Sequence, residues 1–256
     1  MQDYIHLTPS EVAYLITEGS ILQKEHLYFT FMDLLLKRVI EVPNGFMVTP
    51  DPNINFELET FISIGPNFSR YSPLPHECIF TNIFLENNSM RTTILNHLIF
   101  AFKEKGFLES TNNVIGGYED LAQYHKRPKL FGLIKSYKLN GKGLILSRKL
   151  EESLNQFDYM VQSYCTEEEV WKAIEVLDTK ILLINGLNYR MFFDWCQKYN
   201  KSELPFTYPD LTQDKLSETQ FNNIRAIAEN FDYFYKKMME AIHDENDLDL
   251  VGLLGI

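Results

Sequence analysis

Apolar residues recur at helical spacing over most of this chain, interrupted by a few short β-prone runs, and the pattern predicts a mainly helical protein. The first helix announces itself in Thr8-Pro9-Ser10-Glu11, where the Thr hydroxyl caps the first turn, Pro sits at the first helical position and Glu reaches back to complete a capping box. It runs to about Thr17 with Val12, Ala13, Leu15 and Ile16 inward, and Gly19 ends it. A second helix, about Lys24 to Arg38, is apolar on nearly every side and is expected to be buried. Val39-Ile40-Glu41-Val42 and Phe46-Met47-Val48 flank Pro43-Asn44-Gly45, which reads as a hairpin. Helix, helix, hairpin is the order in which a winged-helix unit ends.

A similar order recurs further on. Helices are expected at His76 to Asn87 and Arg91 to Lys105, and two strands at Ile134 to Leu139 and Gly143 to Leu146 turn about Asn140-Gly141. The proline-rich connection from Asp51 to Pro75 carries one strand, at Phe61 to Ile64. From Ser147 the pattern is helical: about Arg148 to Tyr164, Glu167 to Ile184 after a Thr166 cap with Glu169 at N3, Leu187 to Tyr199, and Ser217 to His243. The expected fold class is therefore mainly α (α+β). Tandem winged-helix-like units with short β-hairpins occupy 1–72 and 73–147, and a helical region with an acidic, then apolar tail occupies 148–256.

Leu7-Thr8-Pro9-Ser10-Glu11-Val12-Ala13-Tyr14-Leu15, followed by Met32-Asp33-Leu34-Leu35-Leu36-Lys37-Arg38, resembles a recurrent cytosolic segment of predicted bacterial membrane proteins of unknown function. That segment pairs a Leu-x-Pro-x-Glu-x-x-x-Leu helix with a Leu-x-Asp-Leu-x-x-Arg-Gly helix. Here Val39 stands where the Gly usually follows, and the membrane spans are absent. The resemblance covers under a fifth of the chain and implies a winged-helix-like unit, with no activity to carry over. A fainter likeness, without a specific motif, is to the Golgi phosphoprotein family of helical phosphoinositide binders.

Composition narrows the function. The 45% hydrophobic content, with 19 Phe and 14 Tyr, is far too apolar for a disordered chain. Three scattered cysteines, Cys78, Cys165 and Cys196, suggest a reducing compartment, and the Met1 to His6 start has no signal-peptide pattern, so a cytoplasmic location is expected. No apolar run approaches the roughly 20 residues of a membrane span. A formal charge of −11 argues against a general nucleic-acid binder. That average hides a segregation. Lys126, Arg127, Lys129, Lys135, Lys138, Lys142, Arg148 and Lys149 fall in one stretch that has no acidic residue and holds eight of the 24 lysines and arginines.

No catalytic, metal or cofactor site is legible. The six histidines stand singly, without the clustered ligands zinc needs. Glu240-x-x-His243 has di-iron spacing but no second copy, and an exposed helix end accounts for it. His76-Glu77-Cys78 suggests a thiol nucleophile, yet neighbours at i, i+2 diverge in space, and Cys is commonly just buried. Asn140-Gly141-Lys142-Gly143 is too short for a phosphate loop and reads as a turn. Phe157, Tyr159, Tyr164, Trp171, Tyr189, Phe192, Phe193 and Trp195 could line a pocket, but at helical spacing such residues usually form core.

The expected function is non-enzymatic: an interaction or adaptor protein whose basic hairpin engages an acidic protein partner, the alternative being nucleic-acid or anionic-lipid binding through the same residues. Pairing of the hairpin with the acidic last helix and tail (Glu229, Asp232, Glu240, Asp244, Glu245, Asp247, Asp249) would be the blandest use of those charges. The apolar tail, Leu248 to Ile256, is expected to dock on the core or on another subunit.

Overall fold

A computed structural model describes residues 7–19, 21–43, 60–86, 91–103, 119–124, 139–162, 166, 168–169, 172, 177–183 and 218–253, with side chains of the last helix described to His243. Among these residues the fold is mostly helical, with one small antiparallel sheet.

Helix α1, Pro9–Ile16, starts as its sequence predicts. Thr8 accepts from the Glu11 backbone N–H, and the Glu11 carboxylate takes the Thr8 N–H at 2.8 Å. The helix closes in a Schellman motif: Gly19 N–H donates to Tyr14 and Glu18 N–H to Leu15. Glu18, not Gly19, occupies the position after the cap, at φ 51°. Helix α2, Gln23–Leu36, ends the same way, with Val39 donating to Leu34, Arg38 to Leu35, and Arg38 at φ 55°. A charged residue thus holds the left-handed position after each cap, followed in α1 by Gly19 at φ 88° and in α2 by Val39.

From Thr30 to Leu36 every residue of α2 is buried, and Leu27, Phe31, Met32 and Leu34 are fully enclosed. Each such side chain contributes about 2 kcal/mol of apolar burial. Helix α3, Pro75–Glu86, brings Phe80 against Phe31. Helix α4, Ile94–Lys103, buries Leu98 and Ala101. The sheet is ordered β1-β2-β3, from Ile40–Glu41, Phe61–Ile64 and Arg91–Thr93, with Ile40 opposite Ile64 and Ile62 opposite Thr92. The described partner of β1 is therefore β2, and the expected hairpin arm at 46–48 lies outside the described residues. Gly65 permits the sheet to close on α2, because a Cβ there would collide with the Arg38 carbonyl. β3 comes from the expected second unit and pairs with a strand of the expected first, so one sheet draws on both spans.

The second expected hairpin is corrected in part. Gly143 to Leu146 are not a strand but the first turns of α5, Gly141–Gln162. Asn140 caps this helix: its side-chain oxygen takes the Gly143 N–H at 2.9 Å, and its amide donates to the Gln123 carbonyl at 2.7 Å. An Asn-Gly pair suits a hairpin turn and a helix start alike, and the 3₁₀ turn at Glu119–Tyr124, packed on that end of α5, decides the outcome. Gly143 is needed for this approach, since a Cβ would strike the Tyr124 carbonyl. The first expected strand, 134–139, is described only at Leu139.

The helix expected to run to Ile184 does begin with a Thr166–Glu169 capping box. It gives way at Asp178, φ 55°, to a 3₁₀ turn, Asp178–Leu183, packed on α1 and α2. The last helix, α6, spans Glu218–Leu253, ten residues beyond its expected end, so Leu248 to Leu253 of the tail are helical. It packs on α4 and α2 through Ile227, Phe231, Phe234 and Met238. The expected helix at 187–199 and loop at 201–211 lie outside the described residues. No described helix is long and apolar enough to cross a membrane.

Candidate functional site

Two charged regions stand out, one buried and one exposed. The buried one was not legible in the sequence. Asp33 and Lys37 lie one turn apart on α2, and Lys37 Nζ donates to Asp33 Oδ2 at 2.6 Å. Lys37 also reaches Tyr71 Oη at 3.0 Å and Glu77 Oε1 at 3.5 Å. The Tyr71 hydroxyl donates to both Glu77 oxygens, at 2.7 and 2.8 Å, and the Leu74 N–H adds a bond of 2.8 Å. Glu77 is fully buried, Asp33 equally so, and Lys37 is 7% exposed. Burial pushes the Asp33 carboxyl up; Lys37 opposes this and Glu77 reinforces it. Burial likewise pushes the Tyr71 phenol up.

Next to this set the 3₁₀ turn inserts Lys180, which donates to the Leu7 carbonyl at 3.2 Å and is lowered by burial. On the other side of α1, Ser10 Oγ lies 2.5 Å from His26 Nδ1, and Thr8 Oγ1 lies 3.4 Å from His76 Nε2. The two imidazoles face each other with centroids 5.8 Å apart. Burial, then the charge of His76, holds His26 down at about 3. His97 sits apart, ringed by Phe31, Phe80 and Phe84, and burial lowers it to about 3.

Chemically, these groups bond chiefly one another and join α1, α2, α3 and the 3₁₀ turn. Removing one partner would strand a buried charge. Its one early sign was an Asp and a Lys at i, i+4 on either side of the apolar run Leu34-Leu35-Leu36. Glu77 and Lys180 come from far along the chain, so no local pattern points to them.

Cys78 does not behave as an activated nucleophile. It is half-buried, its thiol donates to the Pro73 carbonyl at 3.7 Å, and burial followed by Glu77 raises its pKa. His76 meets Thr8 instead. Glu240 faces Lys236 and Lys237, and His243 is exposed. Among the described residues no group of three His, Cys, Asp or Glu side chains is placed to hold a metal ion. Of the aromatic set, Phe157 is buried, Tyr159 is 73% exposed, and the others lie outside the described residues.

The exposed region is the outer face of α5. Of the eight basic residues in the predicted interface, Lys142, Arg148 and Lys149 are described, and all three are exposed there. Ile145, 59% exposed, stands between them. Lys126, Arg127, Lys129, Lys135 and Lys138 lie outside the described residues. The inner face of α5 buries Leu146, Leu150, Leu154 and Phe157, and the helix packs on α1. Acidic residues of α6 have nearer partners than this face: Asp232 meets Lys24 at 2.6 Å and Glu229 meets Arg225 at 3.0 Å. No protein-family model, curated protein or solved structure matches the chain.

Proposed function

We propose that this chain is a non-enzymatic interaction protein of the cytoplasm that engages an acidic protein partner through its basic segment, residues 126 to 149. The observation that carries this is the cluster of Lys142, Arg148 and Lys149 around exposed Ile145 on one helix face. Positive charges steer an acidic partner, and an apolar side chain among them supplies a desolvated anchor. The buried ionic set supports the same view, because its groups bond one another rather than converge on a substrate. The α1, α2, β1 order and the antiparallel strands support a winged-helix-like unit at the N-terminal end. With no cation between Lys24 and Lys37, α2 is a poor groove-reading helix, which favours a protein contact.

The test is a fluorescence titration of the full chain with a polyglutamate peptide, duplex DNA, single-stranded RNA and phosphatidylserine vesicles, at low and moderate salt. The peptide is expected to bind, and both Lys126/Arg127/Lys129→Glu and Lys142/Arg148/Lys149→Glu to abolish binding. Tighter, steeply salt-dependent binding of nucleic acid or vesicles would replace the protein partner with the alternative ligand.

A further inference from the structure

Helix α3 forms an outer layer of the bundle. It packs chiefly on α4 and α2, and those two helices are held in turn by α6. Lifting α3 from its seat would therefore leave α2, α4 and α6 packed together. Two different devices hold it. At its first turn Glu77 bonds Tyr71 and Lys37, and His76 meets Thr8. From Phe80 onward the contacts are apolar: Phe80 and Phe84 lie against the ring of His97, with centroids 5.7 and 5.3 Å away, and Phe84 also meets Phe68.

His97, from α4, is an unusual centre for such a seam. It is fully buried, and neither ring nitrogen has a hydrogen-bond partner among the described residues. Its third neighbour is Phe31 of α2. The titratable groups of the elements around it are engaged elsewhere. On α2, Asp33 and Lys37 bond each other and His26 meets Ser10. On α3, besides His76 and Glu77, Cys78 donates to the Pro73 carbonyl. On α6, Arg225 pairs with Glu229, Asp232 with Lys24, and Lys236 and Lys237 with Glu240. Arg91 of β3 lies over Phe61, and Lys103 of α4 is exposed. Burial alone lowers the His97 ring, with no charge acting on it. A proton placed on it in the closed seam would have no acceptor, whereas in water the same proton is readily held.

We infer that the seam between His97 and the C-terminal half of α3 is an acid-opened joint: α3 swings out about its Glu77-anchored first turn, and His97, reached by water, takes a proton that holds the seam open. Closed, the seam is neutral and dry. Open, it presents Phe31, Phe80 and Phe84 as an apolar face while α2, α4 and α6 stay packed. This is a local opening and not unfolding of the whole chain, and it does not depend on the basic face of α5.

Amide hydrogen exchange of the full chain at pH 7, 6 and 5, expressed as protection factors, tests it. The amides of Phe80 to Phe84 are expected to be less protected than those of Phe31 to Leu35 in α2 at every pH, because they open without global unfolding. With the ring at 6.5 when open and about 3 when closed, their protection should fall roughly 25-fold from pH 7 to pH 5. In His97→Leu that fall should be absent. Equal protection of the two segments at pH 5, a wild-type fall under about threefold, or an undiminished fall in H97L would overturn the inference. If H97L does not fold, His97→Gln replaces it as the uncharged variant, and if neither folds the wild-type comparison of the two segments decides alone.

Discussion

Lys37 and Lys149 are the same side chain on two helices of one molecule, with opposite surroundings. Lys37 is 7% exposed and held among Asp33, Tyr71 and Glu77, whereas Lys149 stands in solvent on the outer face of α5. Water screens the second and not the first, so the first governs stability and the second is left for encounter. The lesson is that the region richest in charge by sequence is not the region where charge matters most to folding. Five substitutions and one change of pH sharpen that contrast.

The largest effect is expected at the buried set. Glu77→Ala leaves Lys37 and Tyr71 without their shared acceptor and should cost about 3–5 kcal/mol in urea unfolding. A loss below about 1 kcal/mol would erase the distinction between the two regions. Acidification follows. His26 and His97 are neutral in the native protein because burial lowers them from 6.5 to about 3. The unfolded chain takes up a proton on each as pH falls below about 6.5, so stability is full above that value and declines toward pH 3, by about 1 kcal/mol per pH unit for each histidine. Asp33, raised by burial, works in the opposite direction and shallows the slope. His97→Leu should remove roughly half of the histidine loss, since neither ring nitrogen of His97 has a hydrogen-bond partner among the described residues; thermal unfolding from pH 7 to 5 measures it.

Smaller effects attach to helix starts. Thr8→Ala opens the capping box of α1 and its contact with His76, and should cost about 1–2 kcal/mol. Asn140→Ala, at the more open start of α5, should cost about 1 kcal/mol by the same unfolding curves. Least of all, Lys236→Ala on α6, 76% exposed and 3.8 Å from Glu240, should cost under about 0.5 kcal/mol.

Much of the fold was legible because its signals are local. The Thr8-to-Glu11 box, the buried character of α2, the start of α3, expected at His76 and found at Pro75, and the strand at Phe61 to Ile64 all lie within short windows. Gly143 to Leu146 misled because Asn140-Gly141 fits two structures, and the group that chooses, the Tyr124 turn, makes its contact across a gap in sequence. Asp178 ended a helix whose periodicity continued, because the turn follows its packing on α1 and α2. Lys142, Arg148 and Lys149 could be picked out by charge, but as part of a hairpin and not as the exposed helix residues they are. Lys37 and Glu77 could not, being 40 positions apart and drawn together only by the fold.

The meeting of Asn140 with Tyr124 has one more consequence. Asn140 N–H donates to the Tyr124 carbonyl at 2.7 Å, so the chain leaves at Tyr124 and returns at Leu139 to the same place, the start of α5. Lys126, Arg127, Lys129, Lys135 and Lys138 are all on the stretch closed by that clasp. The two ends of that stretch are thus held together by the fold itself. On the function proposed above, a partner that grips Lys142 and Arg148 finds five further cations covalently joined to the same helix start, so a second contact to any of them is intramolecular.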